Sequence, residues 1–123
     1  MAFIAVVDDE EPVRKALKRL LRAAGLEAEG YASGKEFLAA ERRPDCVVLD
    51  LHMPVMSGQA LLRQIRKMSA RLPVVVITAH DTAETRDECI SAGAAAYLRK
   101  PLDDRLLLNA ISVALAKSPR GME

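Results

Sequence analysis

Five short apolar runs alternate with five segments of helical periodicity, and this alternation limits the folds open to the chain more than any other feature. The first, third and fourth runs are too short for helices and rich in β-branched residues, which indicates strands buried on both faces, whereas the second run is a weak strand. The strands are predicted at residues 3–7, 26–31, 46–50, 73–77 and 94–98. Strands that alternate with helices at this spacing pair in parallel through right-handed crossovers. The sequence therefore predicts an α/β fold of the doubly wound, flavodoxin-like type, with five parallel strands in the order 2-1-3-4-5.

Residues that start or stop helices stand between the predicted strands. Serine and aspartate favour helix N-caps, proline favours the first turn, and glycine favours the residue after the last turn. The boundary residues are Pro12 and Gly25 for the first helix, Ser33 with Glu36 for the second, Ser57 for the third, and Asp81 with Glu84 for the fourth. The fifth helix is predicted from about residue 104 to residue 117.

The length and composition exclude several classes of protein. A chain of 123 residues, half of them apolar, suits one globular domain, predicted over 1–123 with 118–123 as a frayed tail or the start of a linker. A net charge of +1 predicts no broad nucleic-acid-binding surface, and no apolar run approaches the ~20 residues that span a bilayer. We expect no signal peptide. Cys46 and Cys89 lack metal-site spacing, so buried free thiols in a reducing cytoplasm are expected.

Polar side chains stand at the ends of four predicted strands. They are Asp8 and Asp9 after the first strand, Asp50 at the end of the third, Thr78 after the fourth, and Lys100 after the fifth. Because the carboxyl ends of parallel strands meet at one edge of the sheet, these side chains are expected to converge on one crevice. A buried strand that ends in a carboxylate needs a partner for that charge, since an unpaired buried carboxylate is very costly.

Three carboxylates in one crevice predict a bound cation. Two like charges about 4 Å apart repel by roughly 4 kcal/mol at an effective dielectric constant of about 20, and Lys100 offsets only part of this. Oxygen ligands favour a hard ion, and Mg²⁺ keeps open positions for phosphate oxygens. Asp8 and Asp9 are therefore the candidate metal ligands. Asp50 is the candidate nucleophile toward a phosphoryl group, Lys100 the stabilising cation, and Thr78 a hydroxyl that bonds a phosphoryl oxygen.

Other interpretations fit parts of this pattern. Glu10 and Glu11 are interpreted as an acidic helix start, which the helix dipole favours. A Mg²⁺-dependent phosphatase would also use Asp50 as its nucleophile, but enzymes resembling the haloacid dehalogenase group need an acid two residues later, where this chain has His52. A flavin-binding module of the same fold needs a hydroxyl- and glycine-rich first loop, and the acidic residues 8–11 would repel the flavin phosphate.

Four motifs carry a resemblance to a known family. They are Val7-Asp8-Asp9-Glu10, Leu49-Asp50-Leu51-His52-Met53-Pro54 with Ser57-Gly58, Val76-Ile77-Thr78-Ala79, and Ala96-Tyr97-Leu98-Arg99-Lys100-Pro101. With these motifs in this order, the chain closely resembles the receiver domain of two-component response regulators over roughly residues 2–117. The resemblance implies that Asp50 accepts a phosphoryl group from a histidine kinase or phosphotransfer protein. It also implies no enzymatic activity beyond self-catalysed phosphotransfer and autodephosphorylation.

The same resemblance implies a Mg²⁺ site and its ligands. Asp9 is expected to bind the ion directly, together with the phosphoacceptor Asp50. Asp8 is expected to bind mostly through water, and the backbone carbonyl of His52 is a further expected ligand.

The resemblance also implies how a signal leaves the site. The Lys100-Pro101 peptide is expected to be cis, which would aim the lysine into the crevice. Thr78 and Tyr97 match the pair that couples phosphorylation to the surface of the fourth helix, fifth strand and fifth helix. Phosphorylation is expected to draw Thr78 toward the site, so that Tyr97 turns inward.

Finer features bear on partners and on the lifetime of the phosphoryl group. The stretch Thr78-Ala79-His80-Asp81 resembles receivers of the FixJ and NarL-like group, whose members usually carry a DNA-binding helix-turn-helix domain. His52 and His80 match positions that tune phosphoryl lifetime in the family, and two exposed loop histidines are the simpler interpretation. The last helix is broadly apolar, so a phosphorylation-dependent homodimer is a possible use of one face, with core packing as the alternative. Its apolar residues are Leu106, Leu107, Leu108 and Ile111.

Overall fold

The computed structural model describes residues 1–117 and contains the predicted alternation of strands and helices. The elements are β1 Phe3–Val7, α1 Glu11–Ala23, β2 Glu27–Tyr31, α2 Gly34–Ala39, β3 Cys46–Asp50, α3 Gly58–Met68, β4 Val74–Thr78, α4 Ala83–Ser91, β5 Ala96–Arg99 and α5 Asp104–Lys117. The predicted frayed tail or linker, residues 118–123, lies outside the described residues. No helix within 1–117 is long and apolar enough to cross a membrane.

The five strands form one parallel sheet in the order β2-β1-β3-β4-β5, which confirms the predicted fold class. In the register of the central strands, Val7 lies opposite Leu49, and Asp50 lies opposite Ile77. Thr78 lies opposite Arg99 on β5. The strands thus end nearly level with one another, and β1 and β3 are neighbours at the point where the chain reverses its winding.

The core occupies both faces of the sheet. All five residues of β1, β3 and β4 are buried, and successive side chains point to opposite faces. One face packs against α2, α3 and α4, and the other packs against α1 and α5. The helix residues that close these two layers are Phe37, Leu61, Leu62, Ile65 and Cys89 on the first face, and Leu17, Leu21, Leu107, Ile111 and Ala114 on the second. Each large buried side chain contributes about 1.5–3 kcal/mol, which makes the central strands a rigid support for whatever follows them.

Two of the predicted N-caps are confirmed, and the third is wrong. Ser33 Oγ accepts a hydrogen bond from the Glu36 backbone N–H, and Ser57 Oγ accepts one from the Ala60 N–H. The cap of α4 is Thr82, whose Oγ1 accepts from the Thr85 N–H, and not Asp81. The physical reason is competition, because Oδ2 of Asp81 pairs with Arg86 at 2.9 Å.

Strand boundaries differ from the sequence prediction by one or two residues. β2 begins at Glu27, because the Leu26 N–H still bonds to Leu21 O in the turn that ends α1. β4 begins at Val74, although Pro73 O already accepts the Val47 N–H. β5 begins at Ala96, because the Ala94 N–H is still bonded to Cys89 O at the end of α4.

Helix α3 lies directly against the end of β3 because residue 58 has no side chain. The Gly58 N–H donates to Leu51 O at 2.9 Å. A Cβ at this position would lie 2.5 Å from the carbonyl oxygen of Asp50 and 2.5 Å from Cα of Leu51. Both neighbours are backbone atoms, so no side-chain rotation relieves the overlap.

We therefore expect Gly58→Ala to lower the free energy of unfolding by about 1–3 kcal/mol, the usual cost of overpacking. The measurement is urea unfolding followed by circular dichroism. Gly30→Ala is the matched control, because its added Cβ would meet only flexible side-chain atoms, with Arg14 Cδ nearest at 3.3 Å. Equal stability of the Gly58 variant and wild type would contradict the close packing of α3 on β3.

Candidate functional site

The buried polar side chains gather at one edge of the sheet. Among residues 1–117, the buried polar or charged residues are Asp8, Asp50 and Thr78, each exposed by 3% or less. Asp8 follows β1, Asp50 ends β3 and Thr78 ends β4. The structure therefore places these three side chains together at the carboxyl ends of the strands. Burial of three polar groups in an otherwise apolar sheet is costly unless each has a partner.

Lys100 supplies the positive charge at this edge. Its Nζ lies 3.1 Å from Oδ2 of Asp8 and 3.5 Å from Oδ1 of Asp50. A third carboxylate, that of the largely exposed Glu10, lies 3.8 Å away. The side chain of Lys100 is only 16% exposed, its backbone N–H donates to Thr78 O, and the peptide to Pro101 is cis. The ammonium group therefore joins the end of β5 to the ends of β1 and β3.

The two neighbouring aspartates have different surroundings. Asp8 is fully buried and both of its carboxylate oxygens are used, Oδ2 by Lys100 and Oδ1 by the Glu10 backbone N–H at 2.9 Å. Asp9 is exposed, and its carboxylate makes no hydrogen bond or ion pair with another residue in the described part of the chain. Asp9 therefore has free oxygens to offer, and Asp8 has few.

The three aspartates are close enough to bind one cation. Asp8, Asp9 and Asp50 each offer a carboxylate oxygen, and these atoms all lie within 4.8 Å of one another. A donor set made only of carboxylate oxygens fits a hard divalent ion. The backbone carbonyl of His52, the fourth predicted ligand, stays a prediction.

The charge balance favours such an ion. Burial raises the pKa of the Asp50 carboxyl, and the negative charge of Asp8 raises it further, while Lys100 and the His52 backbone N–H act in the opposite direction. Burial acts to lower the pKa of the Lys100 ammonium, but Asp50 and Asp8 outweigh it and raise that pKa above its usual value. A single lysine thus does not fully balance the negative charge of ionised Asp50.

The predicted switch residues occupy β4 and β5. Thr78 is fully buried, and its Oγ1 accepts a hydrogen bond from the His80 backbone N–H at 3.0 Å. Tyr97 is half-buried on β5, opposite Val76 of β4. Its hydroxyl oxygen is buried without a hydrogen-bond partner in the described residues. Burial and the adjacent Asp81 carboxylate raise the pKa of the Tyr97 hydroxyl.

The sequence analysis missed the role of Asp81. This carboxylate lies beside Tyr97 and binds Arg86 of α4 at 2.9 Å and Arg99 of β5 at 3.9 Å. Its Oδ1 is buried and, like the Tyr97 hydroxyl, has no hydrogen-bond partner within 1–117. An aspartate just before a helix has the same sequence signature as an N-cap, so the sequence held no signal that separated the two roles.

Three further predictions concern groups outside the acidic edge. Cys46 and Cys89 are free and buried, as predicted, and burial raises the pKa of the Cys46 thiol to about 12. His52 and His80 are both exposed, and their rings contact each other with centroids 4.6 Å apart. On α5, Leu107 and Ile111 belong to the core, whereas Leu106 is 58% exposed. Core packing thus accounts for part of the apolar face of α5, and the predicted homodimer stays a prediction.

Known proteins share both the sequence pattern and the fold. Residues 4–112 match the family model of the response regulator receiver domain. The chain is 38% identical over 113 residues to the transcriptional regulatory protein FixJ of Rhizobium meliloti, covering 90% of this chain and 55% of FixJ. It is 41% identical over 103 residues to the DNA-binding transcriptional regulator NtrC of Salmonella typhimurium, covering 82% of this chain and 22% of NtrC.

A solved structure gives the same result at the level of the fold. The CheY-like response regulator receiver domain protein of Methanospirillum hungatei superposes with a TM-score of 0.91 at 28% identity, covering 96% of each chain. The present chain spans about half the length of FixJ and about a fifth of NtrC. The family match over almost the whole described chain, together with the acidic edge that ends β1 and β3, leads to one conclusion: this chain belongs to the response regulator receiver domain family of two-component signalling.

Proposed function

We propose that the chain is the phosphoacceptor of a two-component phosphorelay, with Asp50 as the residue that is phosphorylated. The observation that carries this proposal is the position of the Asp50 carboxylate, which is almost fully buried between the Lys100 ammonium and the Asp8 and Asp9 carboxylates. An Asp50 oxygen attacks the phosphorus of a phosphohistidine on a kinase or phosphotransfer protein. The new O–P bond forms as the P–N bond breaks, and the donor imidazole leaves with the electron pair.

Mg²⁺ is the proposed cofactor of this step. When bound, it supplies positive charge that neutralises the oxygens of the transferring phosphoryl group. Asp9 and Asp50 would hold it directly, because the oxygens of Asp8 are already engaged by Lys100 and by a backbone N–H. Asp8 and the carbonyl of His52 would complete the site, Asp8 mostly through water. Lys100 stays beside Asp50 and contributes the second positive charge on the phosphoryl oxygens.

The switch is proposed to run from Thr78 to Tyr97. A phosphoryl group on Asp50 adds about −1.5 to −2 charges and three acceptor oxygens, which favours a new bond from the Thr78 hydroxyl. Thr78 Oγ1 can keep accepting the His80 N–H while its hydroxyl donates to the phosphoryl group, so movement of Thr78 toward Asp50 would pull the start of the loop from β4 to α4 with it. Asp81 lies in this loop beside the Tyr97 hydroxyl, whose oxygen is already buried. Displacement of the loop would therefore change the packing around Tyr97 and draw its ring further inward.

The phosphodonor has a docking surface next to the site. A groove of about 650 Å³ runs between α1 and the loop that begins with Lys100. Its walls are largely apolar, with Val13, Ala16 and Leu20 on α1 and Leu102 on the loop. A helical donor that carries a phosphohistidine must approach Asp50 closely, and a groove beside Lys100 places its apolar face within reach of the acceptor.

The output is proposed to lie outside the described residues. FixJ and NtrC are named as transcriptional regulators, and NtrC as a DNA-binding one. By analogy, this receiver would control a DNA-binding domain or a separate partner protein in the cytoplasm, with a phosphorylation-dependent homodimer as a further proposed state.

Phosphorylation is tested by intact mass after incubation with a small phosphodonor and Mg²⁺. We expect a single phosphoryl adduct on the wild type, no adduct on Asp50→Asn, and no adduct when EDTA removes the metal. Asp9→Asn should weaken the affinity for Mg²⁺ by about 10- to 100-fold, so that phosphorylation needs a correspondingly higher Mg²⁺ concentration. Asp87→Asn on the exposed side of α4 is the control and should behave as the wild type. An adduct that persists in Asp50→Asn would disprove the assignment of the phosphoacceptor.

The charge of Asp50 also predicts a dependence of stability on pH. The folded state raises the pKa of Asp50 above the ordinary aspartate pKa of 3.8. Between these two pKa values the folded protein therefore binds more protons than the unfolded chain. The contribution of Asp50 to stability therefore falls as the pH rises through this window, and it stays low above the window.

We expect Asp50→Asn to be more stable than wild type at neutral pH without divalent cations. This advantage should shrink as the pH falls through the folded pKa of Asp50 and should be gone below about 4. Mg²⁺ at about 100 times its Kd should stabilise the wild type by ~2.7 kcal/mol and the variant by less. Chemical unfolding across a pH series measures both effects. A variant that is less stable than wild type at neutral pH would show that Asp50 is not under-compensated.

A further inference from the structure

The chain contains two histidines, and the fold brings their rings into contact. His52 lies in the loop between β3 and α3, and His80 lies in the loop between β4 and α4. Both residues are exposed, and their rings are 4.6 Å apart between centroids with planes inclined by 78°. No ring nitrogen of either histidine forms an ion pair or hydrogen bond with another residue of the described chain. These nitrogens are therefore open to a ligand.

Each histidine follows closely on the end of a buried strand. His52 stands two residues after Asp50, which ends β3, and the His80 N–H donates to Oγ1 of Thr78, which ends β4, at 3.0 Å. Both residues therefore start from rigid strand ends, and only their side-chain torsions remain to be set. A pair held in this way loses little conformational entropy when a ligand binds both rings.

The spacing of the rings suits one shared metal ion. Imidazole nitrogens bind Zn²⁺ at about 2.0–2.1 Å, and two imidazoles on one tetrahedral ion place their ring centroids roughly 5 Å apart. The ring centroids here are 4.6 Å apart, so the pair reaches about this separation without movement of the backbone. The negative charge of Asp8, Asp9 and Asp50 adds a favourable field for any cation at the pair.

We propose that His52 and His80 form a binding site for a transition-metal dication of the Zn²⁺ type, separate from the Mg²⁺ site below. The two sites differ in ligand chemistry, because imidazole favours Zn²⁺, Cu²⁺ and Ni²⁺, whereas carboxylate oxygens favour Mg²⁺. Water completes the coordination of the ion. The competing explanation is edge-to-face packing of two aromatic rings, and that explanation predicts no metal affinity at the pair.

One consequence rests on the proposed phosphotransfer. An ion held by both histidines ties together the loops that follow β3 and β4, and it restrains the loops that must adjust when Asp50 is phosphorylated. Zn²⁺ at this site is therefore inhibitory, and it slows phosphorylation of the wild type more than that of His80→Gln.

The binding claim is tested by titrating the whole chain with Zn²⁺ in the presence of saturating Mg²⁺ and without any phosphodonor. Calorimetry should give one Zn²⁺ per chain, and the imidazole NMR signals of both histidines should shift together. His52→Gln and His80→Gln should each weaken Zn²⁺ binding by about 10- to 100-fold. Asp9→Asn should keep the Zn²⁺ site. Circular dichroism and thermal melting establish that each variant is folded.

Three outcomes would overturn the proposal. Zn²⁺ binding that survives in the double histidine variant, or that disappears in Asp9→Asn, would assign the ion to the acidic edge. No Zn²⁺ binding by the folded wild type would leave ring packing as the whole explanation of the pair. Because no phosphoryl group enters this titration, its result does not depend on whether Asp50 is phosphorylated.

Discussion

The ammonium group of Lys100 is the interaction on which the acidic edge depends. It lies within 3.5 Å of carboxylate oxygens from β1 and β3, and its own backbone N–H is anchored to Thr78 of β4. One residue thus connects the ends of four strands. Without this charge, two buried carboxylates would face each other in a region of low polarity. With it, the ionised state of Asp50 is tolerated but not fully compensated, since its pKa stays raised.

This incomplete compensation links structure to function. A site whose negative charges were already balanced would have little reason to bind a cation. Two polar groups beyond the acidic edge are also unsatisfied, because the Tyr97 hydroxyl and one oxygen of Asp81 are both buried without hydrogen bonds in the described structure. A buried polar group without a partner costs about 1–3 kcal/mol, so a rearrangement that satisfies both groups would be favoured.

The strands and the convergence of charged groups were predictable, whereas contacts between loops were not. Apolar runs of five residues and the order of a doubly wound sheet place Asp50 beside Asp8 without knowledge of any side-chain rotamer. The alternation of strands and helices does not determine which polar residue in a loop caps the next helix. The sequence therefore predicts Asp81 as the cap of α4, where the structure has Thr82. The contact between His52 and His80 was equally hidden, because it depends on the paths of two loops that are remote in sequence.

The most direct test of the account is an NMR titration of the protein with beryllium fluoride, an analogue of the phosphoryl group, in the presence of Mg²⁺. The account predicts that the largest shifts fall on Asp9, Asp50, Thr78 and Lys100, and that they extend to Tyr97. Glu27, at the far end of the edge strand β2, should stay unchanged. Shifts that are absent, or that are centred away from the ends of β1 and β3, would contradict the claim that Asp50 is the phosphoacceptor of a switch. Shifts at Asp50 that never reach Tyr97 would leave the acceptor intact and contradict the path to the surface.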